Sequence, residues 1–379
     1  MKPSEFHAPE AGRIIKIAHG GYAFVPAPLP PAINYTAELV RQLSRADQAL
    51  SELSGLGRYL PNPHILIAPY VRREAVLSSR IEGTRTNMDE LLRDEIESQS
   101  GESGDSDVRE VRNYIAALEH GIRRLDRLPL SLRLVRELHK HLMKGVRGEV
   151  ATPGEFRRSQ NWIGKSGSTI ETATYVPPPP QEMTEALGAW ERFLHERELM
   201  PDLVQCALMH EQFEAIHPFL DGNGRVGRLL ITLFLIERGR LTQPLLYLSE
   251  YIERHRQDYY ELLQRVRTHG DWQGWIMFFL AGVADTATKA VAQAGRLMDL
   301  REEYRARLRT TPRAVELLDE LFTNPYITVA RAASALGVSN PTARQAVAAL
   351  EKAGMLEEVS GRAWGKLYLA HPIMRVIED

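Results

Sequence analysis

Residues 217–228 read His217-Pro218-Phe219-Leu220-Asp221-Gly222-Asn223-Gly224-Arg225-Val226-Gly227-Arg228, and this stretch decides the fold. Its three glycines free the backbone to turn sharply and to direct successive N–H groups into one concavity, which binds anions. An apolar segment, Leu229–Ile236, follows and precedes Gly239, which indicates a helix that begins in the loop. Because unpaired N–H groups and the dipole at a helix N-terminus favour phosphate, the stretch predicts a phosphate-binding loop.

Four side chains of this stretch add chemistry to the loop. Arg225 and Arg228 are three residues apart, so they share one helix face and present two forked cations to a polyanion. Asp221 is a hard oxygen ligand suited to Mg²⁺, which normally arrives with substrate phosphates. His217 is a titratable base at the mouth of the loop. The residues alone therefore predict a nucleotide-phosphate site with a general base beside it.

Two other kinds of site, a dinucleotide site and a zinc site, fit the sequence less well than a nucleotide-phosphate site does. Gly222 to Gly227 also spells G-x-G-x-x-G, but a dinucleotide site needs a strand before it, and Asp202–Ile216 has helical spacing. His210-Glu211 would begin the zinc-binding pattern H-E-x-x-H, but Glu214 stands where the second histidine is needed. Neither a Rossmann site nor a zinc protease site is expected.

The twelve residues resemble the signature of Fic-domain proteins, H-P-F-x-D-G-N-G-R-x-x-R, and match it at every defined position. Flanking residues extend the resemblance from about Phe6 to Ala281. Such proteins mostly transfer AMP from ATP to a protein hydroxyl, so the resemblance implies that His217 is the catalytic base and that Asp221 holds Mg²⁺. It also implies that ATP is bound by the rest of the loop, namely Gly222, Asn223, Gly224, Arg225, Val226, Gly227 and Arg228.

A second motif, Ser78-Ser79-Arg80-Ile81-Glu82-Gly83, ends an earlier helical pattern. Ser78 and Glu82 are four residues apart and face the same way, and the helix dipole opposes a carboxylate at this end. Taken alone, Glu82 would be a solvated surface residue. The segment is similar, however, to the inhibitory motif of Fic proteins, [ST]-x-x-x-E-[GN]. That resemblance implies that Glu82, with Ser78, pairs with Arg228 and keeps it from the ATP γ-phosphate.

Two further roles follow from the resemblance. Thr174, Tyr175 and Val176 have strand propensity and Pro177 ends the run, which describes one short hairpin arm. In Fic proteins the corresponding hairpin is a flap whose free edge holds the target segment as an added strand; the alternative is a structural proline-rich connector.

Aromatic residues near 260 are implied by the resemblance to flank the adenine. Tyr259 and Tyr260 point about 100° apart on a helix, and Tyr260 is the expected neighbour.

Composition sets the class of protein. The chain has 47 Lys and Arg against 49 Asp and Glu, a net charge of −2, so no global field attracts nucleic acid or acidic membrane. Cys206 is the only cysteine, which suits a reducing cytosol. The apolar runs are too short to span a bilayer, and the N-terminus lacks a signal-like segment. We therefore expect a soluble, cytoplasmic protein without a membrane partner. Residues 1–34, rich in Pro and Gly, predict an extended arm laid over the body, without a core of its own.

The C-terminal part predicts a separate winged helix-turn-helix domain. Three short helices, at Val315–Phe322, Val329–Leu336 and Pro341–Ala353, precede a two-stranded wing at Leu356–Val359 and Lys366–Leu369. Arg344, Arg362 and Lys366 are candidates for contacts to a DNA backbone. From residue 310 to 379, however, seven basic residues face eight acidic ones, a net charge of −1 that opposes tight DNA binding. Protein interaction or dimerisation is favoured, and DNA stays open.

The sequence thus predicts an all-α fold: a Fic helical core with a short β-hairpin flap, plus the winged helix-turn-helix domain. We expect three regions, 1–107 with the arm and inhibitory helices, 108–298 as the catalytic core and 299–379 as linker helix and winged helix. The expected function is transfer of AMP from ATP to a Ser, Thr or Tyr hydroxyl of a target protein or of the chain itself, with Glu82 as inhibitor. Removal of AMP, transfer of another phosphate-containing group, and a DNA-binding regulator with the Fic site as sensor are the alternatives.

Overall fold

The computed structural model describes residues 2–17, 20–59, 64–97, 105–146, 152–165 and 167–378. The chain is mainly helical, as predicted. The elements, in order, are β1 Gly12–Lys16, β2 Tyr22–Pro26, α1 Ala37–Tyr59, α2 His64–Ile81, α3 Met88–Glu97, α4 Ser106–Leu125, α5 Leu132–Leu142, α6 Pro180–His195, α7 Asp202–Ile216, α8 Asn223–Glu237, α9 Ser249–Arg254, α10 Arg256–His269, α11 Trp272–Leu308, α12 Pro312–Thr323, β3 Tyr326–Thr328, α13 Val329–Leu336, α14 Asn340–Lys352, β4 Glu357–Glu358, β5 Leu367–Leu369 and α15 His371–Glu378.

Two consecutive helices, α7 and α8, form the centre of the molecule. Every residue of α7 after Asp202 is buried, and so is nearly all of α8 as far as Leu235. A helix that is covered on all sides belongs to the interior of a larger bundle. Helices α1, α6, α10 and α11 pack against α7, while α4 and α5 pack against α8. The loop between α7 and α8, residues 217–222, is thereby held by a rigid helical frame.

Helix α2, which ends one residue before Glu82, has neighbours on several sides. It packs against α4, α8 and α9 of the core and against α12 of the C-terminal region. At the start of α3, Asn87 and Glu90 exchange hydrogen bonds between side chains and backbone N–H groups, at 3.2 and 2.9 Å. This is a capping box, which fixes where α3 begins.

The N-terminal residues differ from the sequence-based expectation. β1 and β2 form an antiparallel hairpin, with Gly12 opposite Pro26 and Lys16 opposite Tyr22. Phe24 of β2 is buried in a small cluster with Ala8, Ala11 and Tyr175. The sequence did not predict the hairpin, because Phe24 of β2 finds its apolar partner Tyr175 on a distant segment that short-range patterns do not reveal. The contact with Tyr175 agrees with the expectation that this arm lies over the body.

The C-terminal region is a winged helix-turn-helix unit built from α12, α13 and α14. Its sheet has the order β3-β5-β4, so the predicted two-stranded wing gains a third strand, Tyr326–Thr328. The region packs on the core through α12 and α15. Both predicted region boundaries fall inside continuous helices, 107/108 within α4 and 298/299 within α11.

Helix α11 is the one helix, within the described residues, that is long and apolar enough to cross a membrane by length and composition. The sequence-based expectation considered only uninterrupted apolar runs, whereas this helix also contains small and polar residues. Half of its most apolar window is buried, and it packs along α1, α7 and α10. These contacts are those of a core helix.

Candidate active site

His217 directly follows the last residue of α7 and begins the turn into the loop of residues 217–222. Its φ of 49° places it in the left-handed region, and its N–H donates to the Phe213 carbonyl at 3.0 Å. Arg157 fixes this turn from the opposite side. Its Nε donates to the His217 carbonyl at 2.9 Å, and its backbone N–H donates to the Pro218 carbonyl at 2.9 Å. Arg157 was not among the predicted site residues, because no sequence pattern connects it with a carbonyl 60 residues away.

The His217 imidazole is neutral in this environment. Burial lowers its pKa to about 3, and the positive charges of Arg157 and Arg267 act in the same direction. A hydrogen bond from the ring to the backbone of Glu214 acts in the opposite direction but does not outweigh burial. A neutral imidazole retains a basic nitrogen, so His217 is able to accept a proton at neutral pH.

The loop after His217 is closed by side chains that bond to its own backbone. The Asn223 side chain accepts from the Phe219 N–H at 2.8 Å and donates to the Phe219 carbonyl at 2.8 Å. His139 of α5 stacks on the Phe219 ring at 3.7 Å, and its Nε2 donates to the Asp221 carbonyl at 3.0 Å. Asn223 therefore shapes the loop with its side chain, and only its backbone N–H is left for an anion. His139 itself is completely buried, so it packs beneath the loop.

Helix α8 begins at the nest that the glycines predicted. Gly222 precedes it with a φ of 78°, and none of the described side chains caps its first N–H groups. A Cβ atom at Gly224 would collide with Oε1 of Glu82, so the Glu82 carboxylate lies directly against the nest. An uncapped helix N-terminus binds anions, and a carboxylate already lies there.

Arg228 is held by the two residues that the inhibitory motif predicted. Its Nη2 lies 2.6 Å from Oε1 of Glu82, its Nε donates to Oγ of Ser78 at 2.8 Å, and Nη2 also donates to the Ser78 carbonyl at 3.0 Å. Burial acts to raise the pKa of Glu82, but the Arg228 charge and hydrogen bond leave that pKa below its usual value. The Arg228 side chain is 2% exposed and the Glu82 side chain 33%. The pair is therefore open to solvent on the Glu82 side.

Arg225 has a different environment from the predicted one. Its Nη1 lies 2.8 Å from Oε2 of Glu110 on α4, and the two side chains are only 4% and 6% exposed. Nη2 faces the Met143 sulfur at 3.8 Å. The structure thus pairs Arg225 with Glu110, and the predicted contact of Arg225 with a bound polyanion stays a prediction. Residues three apart on a helix still diverge by about 60°, and α4 supplies a carboxylate on that side.

Besides Glu82, a second carboxylate, Glu214, lies near Arg228. It is buried, and its Oε1 has no hydrogen-bond partner among the described residues. Burial raises its pKa to about 7, although the Arg228 charge acts to lower it. The neighbouring His210 instead links three helices, because its two ring nitrogens lie 3.1 Å from the Gly227 carbonyl and 2.9 Å from the Tyr259 hydroxyl.

The segment predicted as the flap is mostly buried. Thr174 is exposed, but Tyr175 and Val176 are buried. Tyr175 forms an isolated antiparallel bridge in which both of its backbone groups bond to Ile163, and the Val176 carbonyl accepts from the Phe24 N–H. These backbone groups are not a free edge, so the predicted docking of a target strand at Tyr175 and Val176 was wrong. Because backbone groups alternate in direction along a strand, the outward-facing edge belongs to the residues that flank Ile163.

The two tyrosines of α10 separate as the helix geometry predicted. Tyr259 is buried against His210, whereas Tyr260 is 46% exposed. Burial and the nearby Glu82 carboxylate both raise the pKa of Tyr260, while the Arg228 charge acts to lower it. Tyr260 is thus the tyrosine that a bound nucleotide would be able to touch.

Asp221 is the one metal-ligand candidate in the loop. Its side chain is 50% exposed, and Oδ1 accepts from the Gly222 N–H at 2.6 Å. Within the described ranges, no group of three or more His, Cys, Asp and Glu side chains comes together in a metal-binding arrangement. A single open carboxylate fits Mg²⁺ that arrives with phosphates, since such ions keep one or two protein carboxylates among their ligands.

Family models match three parts of the chain. Residues 40–123 match the Fic/DOC family N-terminal model, residues 129–235 the Fic/DOC family model, and residues 313–357 a model described as winged helix-turn-helix DNA-binding. Two solved structures have a similar fold. A Fic family protein from Desulfovibrio desulfuricans has a TM-score of 0.59 at 21% identity, covering 90% of this chain and 98% of that one. A Fic domain containing signaling protein from Bacteroides thetaiotaomicron has a TM-score of 0.50 at 17% identity, covering 69% and 96%.

Curated relatives carry the name protein adenylyltransferase Fic. The Aedes aegypti protein is 31% identical over 152 residues, which cover 39% of this chain and 27% of that protein. The Drosophila persimilis protein is 28% identical over 207 residues, which cover 54% of this chain and 36% of that protein. The match thus spans about a third of the relatives or less. Residues 40–235 of this chain belong to the Fic/DOC family, and residues 313–357 form a winged helix-turn-helix domain.

Proposed function

We propose that this chain is a protein adenylyltransferase, which transfers AMP from ATP to a Ser, Thr or Tyr hydroxyl of a target protein or of the chain itself. The observation that carries the proposal is the neutral His217 beside an uncapped helix N-terminus, with Arg228 one turn further along the same helix. The relatives named protein adenylyltransferase Fic support the same activity.

Each residue of the site has a separate role in the proposed reaction. The His217 imidazole accepts the proton of the target hydroxyl, whose oxygen then attacks the α-phosphorus of ATP. The bond from the α-phosphorus to the oxygen that bridges to the β-phosphate breaks, and pyrophosphate leaves. Backbone N–H groups of Asn223 and Gly224 and the freed Arg228 bind the phosphates, while Tyr260 is placed to contact the adenine. Positioning and charge neutralisation account for most of the rate in such transfers, and a general base adds roughly 10²–10⁴-fold.

Asp221 would hold Mg²⁺, because its carboxylate is open to solvent beside the nest. The ion would supply neutralisation of phosphate charge. Gly222 N–H fixes one carboxylate oxygen and so orients the side chain toward that ligand.

Glu82 would inhibit the reaction by occupying Arg228. Both a carboxylate and a phosphate accept charge-assisted hydrogen bonds from a guanidinium, so the two compete for the same donors. The 33% exposure of the Glu82 side chain leaves room for it to move into solvent when phosphate takes its place.

The test is a labelling experiment with ATP radiolabelled on the α-phosphate. Glu82→Gly is expected to label itself or proteins of a lysate at least tenfold more than the wild type, since about 1.4 kcal/mol of competition corresponds to tenfold. Glu82→Gly/His217→Ala should show no labelling. ATP labelled on the γ-phosphate is the control and should transfer nothing. Labelling by the γ-phosphate, or undiminished labelling after loss of His217, would contradict the proposal.

DNA binding by the C-terminal region is a second candidate function. Arg331, Arg344, Arg362 and Lys366 line one groove of 810 Å³ between the helix-turn-helix and the wing, where Trp364 is exposed. Two of these cations are already paired, Arg331 with Glu320 at 2.6 Å and Arg362 with Glu97 at 2.9 Å. The observation that favours DNA is this local concentration of basic residues, despite the negative net charge of the region.

A gel-shift titration of the full chain with duplex DNA at two salt concentrations tests this second function. We expect weak binding that falls as salt rises, and further weakening in Arg344→Ala/Lys366→Ala. Binding that ignores both salt and the double substitution would exclude this groove as the DNA site.

A further inference from the structure

The helix that precedes Glu82 is anchored by a second carboxylate, Glu74. Its Oε1 accepts from the Tyr114 hydroxyl at 2.9 Å and from Oγ of Ser249 at 2.5 Å, and its Oε2 accepts from the Ser249 N–H at 3.0 Å. Glu74 is 4% exposed, and both partners are fully buried. This one side chain therefore joins α2 to α4 and to the start of α9.

The contacts of Glu74 continue to the inhibited arginine. Ser78 lies one helical turn after Glu74 and accepts two hydrogen bonds from Arg228, through its Oγ and its carbonyl. The Tyr114 hydroxyl also interacts with the Ser78 side chain. A continuous polar network thus runs through the interior from Ser249 to Arg228.

If its only role were packing, this buried polar network would cost more free energy than apolar side chains in the same positions. Burial raises the pKa of Glu74 to about 7, while the Ser249 and Tyr114 hydrogen bonds and the Arg228 charge favour the ionised form. An apolar side chain of similar size often fills an interior position at lower free energy than a buried charge. A buried carboxylate with three donors does something that an apolar side chain cannot, since it fixes one orientation of the helix that carries it.

The position of Glu82 depends on that orientation. Glu82 lies just beyond Ile81, the last residue of α2, and its N–H still donates to the Ser79 carbonyl at 3.0 Å. Its carboxylate therefore moves with the end of α2. Rotation or sliding of the helix would carry Ser78 and Glu82 away from Arg228 together.

We propose that Glu74 is a positioning residue of the inhibited state, which holds α2 so that Ser78 and Glu82 both engage Arg228. Glu74 touches neither nucleotide nor target and acts only through Glu82 and Ser78. This inference rests on the proposed adenylyltransferase activity and lies outside the six-residue inhibitory motif.

The test compares four full-length proteins, namely the wild type, Glu74→Gln, Glu82→Gly and the double variant, by labelling with α-phosphate-labelled ATP. Glu74→Gln keeps the shape of the side chain but replaces acceptors of the network by an amide. We expect about fivefold more labelling in Glu74→Gln than in the wild type, and equal labelling in the double variant and in Glu82→Gly. Unchanged labelling, or the same fold-change in both backgrounds, would overturn the proposal. Absence of labelling in Glu82→Gly itself would instead reject the proposed activity.

A matched control separates the Glu74 network from general loosening of α2. Glu95 of α3 pairs with Arg72 of α2 at 2.8 Å and accepts from the Asn324 side chain at 3.2 Å, and neither contact joins the network. Glu95→Gln is expected to leave labelling at the wild-type level, and activation equal to that of Glu74→Gln would contradict a specific role. If Glu74→Gln does not fold, as judged by thermal melting, Tyr114→Phe removes one donor to Glu74. It should give a smaller activation that also disappears in the Glu82→Gly background.

Discussion

Arg225 and Arg228 lie one turn apart on α8, both are buried, and each pairs with a glutamate from an earlier helix. The two pairs differ in the position of the glutamate. Glu110 is in the interior of α4 and is as buried as its arginine, whereas Glu82 follows the end of α2 and is partly exposed. Glu110 cannot leave Arg225 without displacement of α4, but Glu82 is able to leave Arg228 by local movement. Similar chemistry therefore produces a fixed structural pair and an exchangeable one.

The largest expected difference between the two pairs is in stability. Glu110→Gln should lower the free energy of unfolding by about 3–5 kcal/mol, because the buried Arg225 charge then keeps only the more distant Asp221 carboxylate, at 3.9 Å. Glu82→Gln should cost about 1 kcal/mol or less, because solvent screens the exposed side of that pair. Urea titration of both variants at pH 7 measures the difference. Equal losses would mean that the two pairs do not differ in the way proposed.

Glu214 sharpens the comparison, since it gives Arg228 a second carboxylate neighbour. Its pKa is raised from the ordinary 4.5 to about 7, so the folded protein holds this proton more tightly than the unfolded chain. Stability from Glu214 is therefore present below pH 4.5 and is lost as pH rises through 7. At pH 8 the ionisation of Glu214 lowers the free energy of unfolding by about 3 kcal/mol relative to its value below pH 4.5. Glu214→Gln should be more stable than the wild type at pH 8 and gain little at pH 4.

The measurement is thermal melting of both proteins across this pH range. A difference between them that does not change with pH would show that Glu214 keeps its ordinary pKa. Because Glu211 and Glu74 also have raised pKa values of about 7, only the difference between variant and wild type isolates Glu214.

The smallest expected effect concerns nucleotide affinity. In a His217→Ala background, which prevents turnover, Glu82→Gly should bind Mg-ATP about tenfold more tightly, because Arg228 no longer has to release a carboxylate. Calorimetric titration measures the dissociation constants. Glu97→Gln, a carboxylate substitution on α3 that breaks the ion pair with Arg362, serves as the control and should not alter affinity. Unchanged affinity in Glu82→Gly would show that the two anions do not compete for Arg228.

Several parts of the fold were predictable because their causes are local. The apolar spacing and the glycines of residues 202–239 predicted two helices around a loop, and α7 and α8 are found there. The short helices of the C-terminal region were predicted with similar accuracy. The Glu82–Arg228 pair was not derivable from spacing; it followed from the resemblance to the inhibitory motif, and the structure contains it.

The missed features depend on distant segments. The β1–β2 hairpin packs on Tyr175, more than 140 residues away along the sequence. Arg157 fixes the carbonyl of His217, which is 60 residues further along the chain. The exposed edge expected at Tyr175 and Val176 is paired with Ile163 and Phe24 instead. Short-range propensities carry no information about such partners.

The sequence by itself determined the turn, the nest and the helix of residues 217–237, because glycine freedom and apolar periodicity act over a few residues. Only the tertiary structure decided which carboxylate faces which arginine. Glu110 is 115 residues from Arg225 and Glu82 is 146 residues from Arg228, so each pair exists only after α4 and α2 have packed against α8. Burial of those helices then makes one pair permanent and leaves the other open to exchange.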